Sequence, residues 1–248
     1  MNDLAHLSRK YYLLFSLPLH VILILSLIFL DIDFYRFLIL SFIFYVIVYW
    51  IGVQAGAHKL FSHKSWEPRN NIVKYAIATI SCFGLMGGPI SWARMHRYHH
   101  AKSDTDEDPH TPKKGFYISY VGWLLNPPNV PVFIIRDLIK DKQLNTVEQY
   151  CRQIVLLFLI LVLTINTTLF VSLLTAMILT FHSEMLVNSL LHKKTDEEYS
   201  ALNNIWISLI SGGSSLHKNH HDNAGMSNFS TRWYEFDLSY QIIRILRK

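Results

Sequence analysis

The sequence predicts an all-α integral membrane protein: four transmembrane helices in two hairpins, with a cytoplasmic helical cap carrying a histidine-rich site for two metal ions. Three observations carry that expectation. Several apolar runs are about as long as a bilayer is thick. Histidines recur in short blocks at helical spacing. The cationic residues fall almost entirely on one side of the membrane that those runs imply.

Hydrophobic residues make up 51% of the 248, and with the mean hydropathy of +0.22 this points away from an ordinary soluble domain. Tyr11 to Leu30 and Phe37 to Val53 carry no charged side chain. At 1.5 Å per residue, about 20 such residues cover the roughly 30 Å hydrocarbon layer. The first run follows Arg9-Lys10, but it is too long for a signal-peptide core and lacks a small-residue cleavage site, so it reads as an anchor. Cys151 to Ile165 and Thr168 to Leu191 form a second apolar pair around the polar turn Asn166-Thr167-Thr168. The chain therefore reads as a single membrane domain, 1–248, with spans at about 11–30, 35–57, 150–166 and 168–191 and a cap from 58–149 and 192–248.

Asn71 to Ile90 is also fairly apolar, but it holds Lys74 and is broken by Gly84, Gly87, Gly88 and Pro89. Parity decides its reading. If the histidine blocks build one site they share one side of the membrane, so this segment lies on or dips into the surface. With four spans, every Lys and Arg except Arg36 falls on the side of the blocks, which the positive-inside rule makes cytoplasmic. Topology thus accounts for the pI near 9.1, and no nucleic-acid-binding module accompanies the charge. Cys82 and Cys151 stand far apart without a CxxC, so neither a disulfide framework nor a cysteine-ligated metal is predicted.

The blocks are His58 with His63, His96 with His99 and His100, and His217 with His220 and His221; Asn188 and His192 form a fourth partial signal. With 13 histidines placed at random, HxxHH is expected roughly 0.04 times; it occurs twice. Residues at i and i+4 share a helical face, so His96 and His100 pair while His99 can serve a neighbouring ion, and the third block repeats that arithmetic. His58 and His63, five apart, sit about 140° off on a helix and share a face only if the helix ends near Phe61-Ser62. Nine imidazoles exceed the roughly four to six ligands of one first-row ion, so two ions follow. Nitrogen donors suit iron, zinc or copper and argue against calcium or magnesium. The two Glu-x-x-His motifs that a carboxylate-bridged di-iron bundle needs are not both present, and the HExxH of zincins is absent.

Beyond the histidines, Gly56-Ala57-His58 with Leu60 and Ser62-His63, Trp92-Ala93-Arg94 before the second block, and Asp108-Pro109-His110 form a wider pattern. Gly115-Phe116, Gly122-Trp123-Leu124-Leu125, Asn188-Ser189 with His192, and Trp233 to Asp237 extend it. The pattern resembles the membrane fatty acyl desaturases, most closely the acyl-CoA branch that includes stearoyl-CoA desaturase. That resemblance implies two non-haem iron ions. One would be held by His58, His63, His96, His100 and His220, the other by His99, His192, His217 and His221, with Asn188 holding a water. It implies O2 as co-substrate and a separate electron donor, a ferredoxin or small haem cytochrome with its reductase. It also implies an acyl substrate, on CoA or acyl carrier protein or in a lipid, gaining a C=C bond by two successive hydrogen abstractions. A hydroxylase on the same scaffold is the alternative. A metal-binding transporter is a distant one, since the histidines lie at or beyond span ends and no repeat is visible.

Two positions depart from the family pattern: Ser214 stands where Glu is common and Met95 where Asp is common. Support for the imidazoles is therefore expected from Asp104, Asp106, Glu235 or Asp237. His6, His20, His110 and His182 read as structural or interfacial, and Asp104 to Asp108 as either a solvated loop or support behind the imidazoles. Trp92, which in the family shapes the bend of the acyl tunnel, and Glu184, a carboxylate near the membrane on the face of Asn188 and His192, are candidate substrate-binding residues.

Overall fold

The computed structural model describes residues 9–195 and 198–248; His6 lies outside the described residues. Helix α1 (Arg9–Phe29) leads to α2 (Phe34–Ser62) through a short turn. The turn is closed by the Asp33 carboxylate, which accepts from Arg36 N at 3.1 Å and so satisfies an orphan donor of the first turn. Leu14, Ile24, Ile28, Ile39 and Phe42 are exposed, as side chains facing hydrocarbon are.

The second half of α2 shows how His58 and His63 come together: the helix ends at Ser62, between them, as their spacing requires. From Val46 to Ser62 the helix is wound with i→i+5 hydrogen bonds, and His63 N donates to His58 O at 3.2 Å. Each turn then holds about one extra residue, and this winding together with the helix end at Ser62 brings positions five apart onto one side.

Helix α3 (Asn71–Ser81) is capped by Asn70, whose side chain accepts from Val73 N at 2.9 Å. Eleven residues reach about 16 Å, half the hydrocarbon layer. A break through Leu85 and Gly87, both left-handed, turns the chain by 74° into α4 (Pro89–Lys102). Its first turn is capped from afar: Glu148 accepts from Ile90 N at 2.7 Å and from Ser91 N at 3.2 Å. His63 before this re-entrant pair and His96 within it lie 2.8 Å apart, so the chain enters and leaves the layer on one side.

After α5 (Phe116–Tyr120) comes α6 (Lys142–Ile165), capped by Asp141, which also takes Lys74 Nζ at 2.6 Å and so pins α3. Asn166 caps α7 (Thr167–Leu190), closing the second hairpin. Thr167 Oγ1 donates to Asp31 O at 2.8 Å, tying the two hairpin turns together. Helix α7 is the central one: 72% of its most apolar stretch is buried against 22% for α1 and α6. His192 then opens an antiparallel hairpin, β1 (His192–Thr195) with β2 (Glu198–Ala201), the one non-helical element among the described residues.

The remainder wraps the exposed ends of the spans: α8 (Ile205–Ser208), α9 (His217–Asp222) and α10 (Leu238–Leu246). Gly212 and Gly213, at φ of 63° and 101°, open the approach to α9, and a Cβ on them would stand 2.6 Å from Trp50 and 2.5 Å from Asp237 Oδ1. Asp237 anchors this segment. It accepts from Lys59 Nζ at 2.6 Å, from Phe229 N at 2.8 Å and from Tyr240 N at 3.0 Å, with both ion-pair side chains sealed from solvent. Asp237→Ala leaves the Lys59 ammonium buried and uncompensated; it is expected to cost about 3–5 kcal/mol, read as a large drop in the melting temperature of the detergent-solubilised protein.

Candidate metal centre

The first two blocks meet because Arg97, inside the second, grips the end of α2. Its three nitrogens donate to Phe61 O, Ser62 O and Ile134 O at 2.7 to 2.8 Å and fork onto Asp137 at 2.7 and 3.0 Å. Those bonds set His63 against His96. The Nε2 atoms of His63 and His96 are 2.8 Å apart, those of His96 and His100 3.0 Å, those of His100 and His220 2.8 Å, and those of His220 and His58 2.9 Å. His220 arrives on α9, its ring against Phe229.

A second group forms beside it. His192 and His217 Nε2 lie 2.9 Å apart, His217 and His221 3.1 Å, and the rings of His99 and His221 5.2 Å between centroids. In each group the donor atoms lie within 4.8 Å of one another: His58, His63, His96, His100 and His220 in one, His99, His192, His217 and His221 in the other. The helical arithmetic explains the interleaving, since His99 leaves α4 on a different line from His96 and His100.

Three rings have their tautomer fixed from behind. His99 Nδ1 donates to Asp108 at 2.9 Å, His192 Nδ1 to Asp104 at 3.1 Å and His58 Nδ1 to the Gln54 side-chain oxygen at 2.9 Å. A neutral imidazole has one N–H, so Nε2 of each is a lone pair aimed inward. In the first group the four Nε2 contacts cannot all be hydrogen bonds, because a protonated nitrogen does not accept and one proton serves one good bond. His99 Nε2 is buried without a hydrogen-bond partner. A cation in each group satisfies these atoms together, and all-imidazole donor sets of four and five suit a first-row transition metal. The residues fit a pair of metal ions, and metal use follows from this donor set.

Electrostatics agree. Burial, then neighbouring rings, push His96, His99, His217 and His220 well below the ordinary 6.5; the same causes hold His63 down to about 3 and His100 to about 4. Neutral imidazole is the ligating form.

Trp92 stacks on His96, centroids 4.4 Å apart, and with Glu184, Asn188, Met86, Met185, His110 and Trp123 it lines a narrow cavity against the first group. Of the four carboxylates expected behind the rings, only Asp104 reaches one. Asp106 is exposed, Glu235 holds Asn219 and the Thr231 backbone, and Asp237 holds Lys59. Asp108 is buried against His99, the supporting alternative for its loop, and His110 is packed 4.2 Å from that ring, the structural one of its two readings. His20 and His182 bond to each other at 3.2 Å, and Tyr120 donates to His182 Nδ1. Gln54 was missed, although its place four residues before His58 was a readable signal.

The chain's similarities to known proteins point the same way as this geometry. The fatty acid desaturase family pattern matches residues 34–244. The chain is 30% identical over 216 residues to the sn-1 stearoyl-lipid 9-desaturase of Anabaena variabilis, covering 82% of this chain and 79% of that one. It is 34% identical over 212 residues to the sn-2 palmitoyl-lipid 9-desaturase of Nostoc sp. (strain 36), covering 79% and 73%. The Delta-9 acyl-lipid desaturase 1 of Arabidopsis thaliana is 29% identical over 210 residues, covering 79% and 68%.

Two measurements check the centre. The rings' folded values lie below the unfolded 6.5, so between them the unfolded chain binds more protons; the stability of metal-free protein should be full above about pH 6.5 and fall as acid takes it toward about 4, read by melting temperature against pH. Asp108→Asn no longer enforces the His99 tautomer, and metal affinity should drop about 10- to 100-fold in a chelator competition.

Proposed function

This chain belongs to the fatty acid desaturase family and is an integral membrane oxidoreductase that desaturates fatty acyl chains; from that premise we propose which residues carry the reaction and with what partners. The proposed metal is iron, two ions per chain. One is held by His58, His63, His96, His100 and His220, and the other by His99, His192, His217 and His221, with Asn188 placing a water. The donor chemistry supports this, nine imidazole nitrogens in two groups, the first of which borders a narrow cavity through His96. Iron held there supplies O2 activation and the removal of hydrogen from an unactivated methylene.

The chain's own residues bind, orient and exclude water. Asp104, Asp108 and Gln54 hold three rings with their lone pairs inward. Trp92 closes one wall of the cavity and stacks on His96, while Met86, Met95, Met185 and Trp123 supply the apolar surface that positions two neighbouring methylenes and keeps bulk water out. Atoms balance when one O2, two hydrogens from the acyl chain, two electrons from a separate donor and two protons give a double bond and two waters. The donor is a ferredoxin or small haem cytochrome with its reductase.

An acyl chain within a membrane lipid is the proposed substrate, supported by the acyl-lipid enzymes among the relatives. The site faces the cytoplasm, supported by the clustering of Lys and Arg on its side of the spans. The observation that carries the proposal is the gathering of imidazoles from α2, α4, β1 and α9 into two lone-pair clusters.

The purified protein should contain about two irons per chain. Lipid extracts of cells expressing it should show acyl chains lighter by two hydrogens, and His96→Ala should abolish both. Acyl chains gaining one oxygen instead would identify a hydroxylase, and zinc in place of iron would end the redox reading.

A further inference from the structure

We infer that Glu184 is a positioning residue that fixes the hydrogen-bond polarity of the metal site from within the membrane layer. It acts on His58 through Gln54 and on the approach to the third histidine block through Tyr49. The inference rests on His58 being a metal ligand.

Glu184 sits on α7 one turn before Asn188, buried, where a carboxylate is costly to keep. Gln54 Nε2 donates to its Oε2 at 2.8 Å and Tyr49 O–H donates to the same oxygen at 3.2 Å. An oxygen that takes two donors is an acceptor whatever proton the other oxygen carries. That fixes the Gln54 amide: its NH2 faces Glu184, so its oxygen faces His58 Nδ1 at 2.9 Å. The proton of the neutral His58 ring therefore stands on Nδ1, and Nε2, 2.9 Å from His220 Nε2, keeps its lone pair. With no acceptor at 184 the amide is free to turn over, which would place the proton on Nε2 and remove the ligand.

The second arm has the same sense. Tyr49 spends its proton on Glu184, so its oxygen accepts from Ser214 O–H at 2.9 Å. Ser214 follows Gly212-Gly213 and precedes His217 by three residues. One carboxylate oxygen thus orders α2, α7 and the loop into α9. His99 and His192 meet their carboxylates directly, whereas His58 reaches one through an amide.

The test uses Glu184→Leu, Glu184→Gln and the double exchange Gln54→Glu with Glu184→Gln, which returns a carboxylate to His58 Nδ1 and an amide donor behind it. Metal per chain, the rate of metal loss to a chelator and the melting temperature of metal-free protein are measured on the detergent-solubilised full chain. Glu184→Leu should lose metal about 10- to 100-fold faster. Glu184→Gln, whose amide can present either end, should also leak, and the double exchange should return to near the wild-type rate. Wild-type retention in both single variants would overturn the inference, as would a double exchange that leaks like Glu184→Gln; this comparison holds even if the leucine variant fails to fold. A wild-type protein that takes up no metal would overturn the ligand reading itself.

Discussion

The rest of the structure depends on gathering nine imidazoles, six of them buried, with their ring nitrogens facing one another. Lone pairs brought within about 3 Å without protons between them repel, and burial denies them water. Such an arrangement needs a stiff scaffold, and the fold shows where that stiffness comes from. Arg97 spends its donors on two backbone carbonyls at the end of α2, a third near Ile134 and both oxygens of Asp137. Glu148 fixes the start of α4 from α6, and the sealed Lys59–Asp237 pair fixes the C-terminal segment beside His58.

Membrane topology serves the same end. The blocks reach one place because α2 ends, α3 and α4 fold back, and α7 ends on one side of the layer, so no ring has to be carried across it. The i→i+5 winding of α2 widens its turn where His58 and His63 must stack. The break at Leu85 to Gly88 gives α4 its direction, and Gly88 must lack a side chain there because a Cβ would stand 2.4 Å from the Glu148 carboxylate.

Along the three rings whose Nδ1 protons are fixed, the partners differ in a way that follows depth. Asp104 and Asp108 come from the loop outside the spans and touch their rings directly. His58 lies on a membrane helix, and its support runs through Gln54 to a carboxylate on α7, shared with Tyr49 and Ser214. The cavity lined by Trp92 and His96 also takes in Glu184, so it borders the region where this buried polar chain stands. Apolar walls and an ordered polar network are thus adjacent, each excluding water for the other.

Much of the protein was legible in order along the chain. Apolar length fixed the four helices, i and i+4 spacing chose which rings of a block share a face, and parity kept Asn71 to Ile90 from being a full crossing. These are local properties, carried by residues within a turn or a span of one another. What lies behind the rings was not local. Asp104 meets His192 across 88 positions, Gln54 meets Glu184 across 130, and Lys59 meets Asp237 across 178, and no pattern in the sequence pairs such distant side chains. The spacing that lets the imidazoles gather was therefore set by the sequence itself, whereas ring orientation was decided only by the folded chain, because a tautomer depends on which acceptor packing delivers to Nδ1.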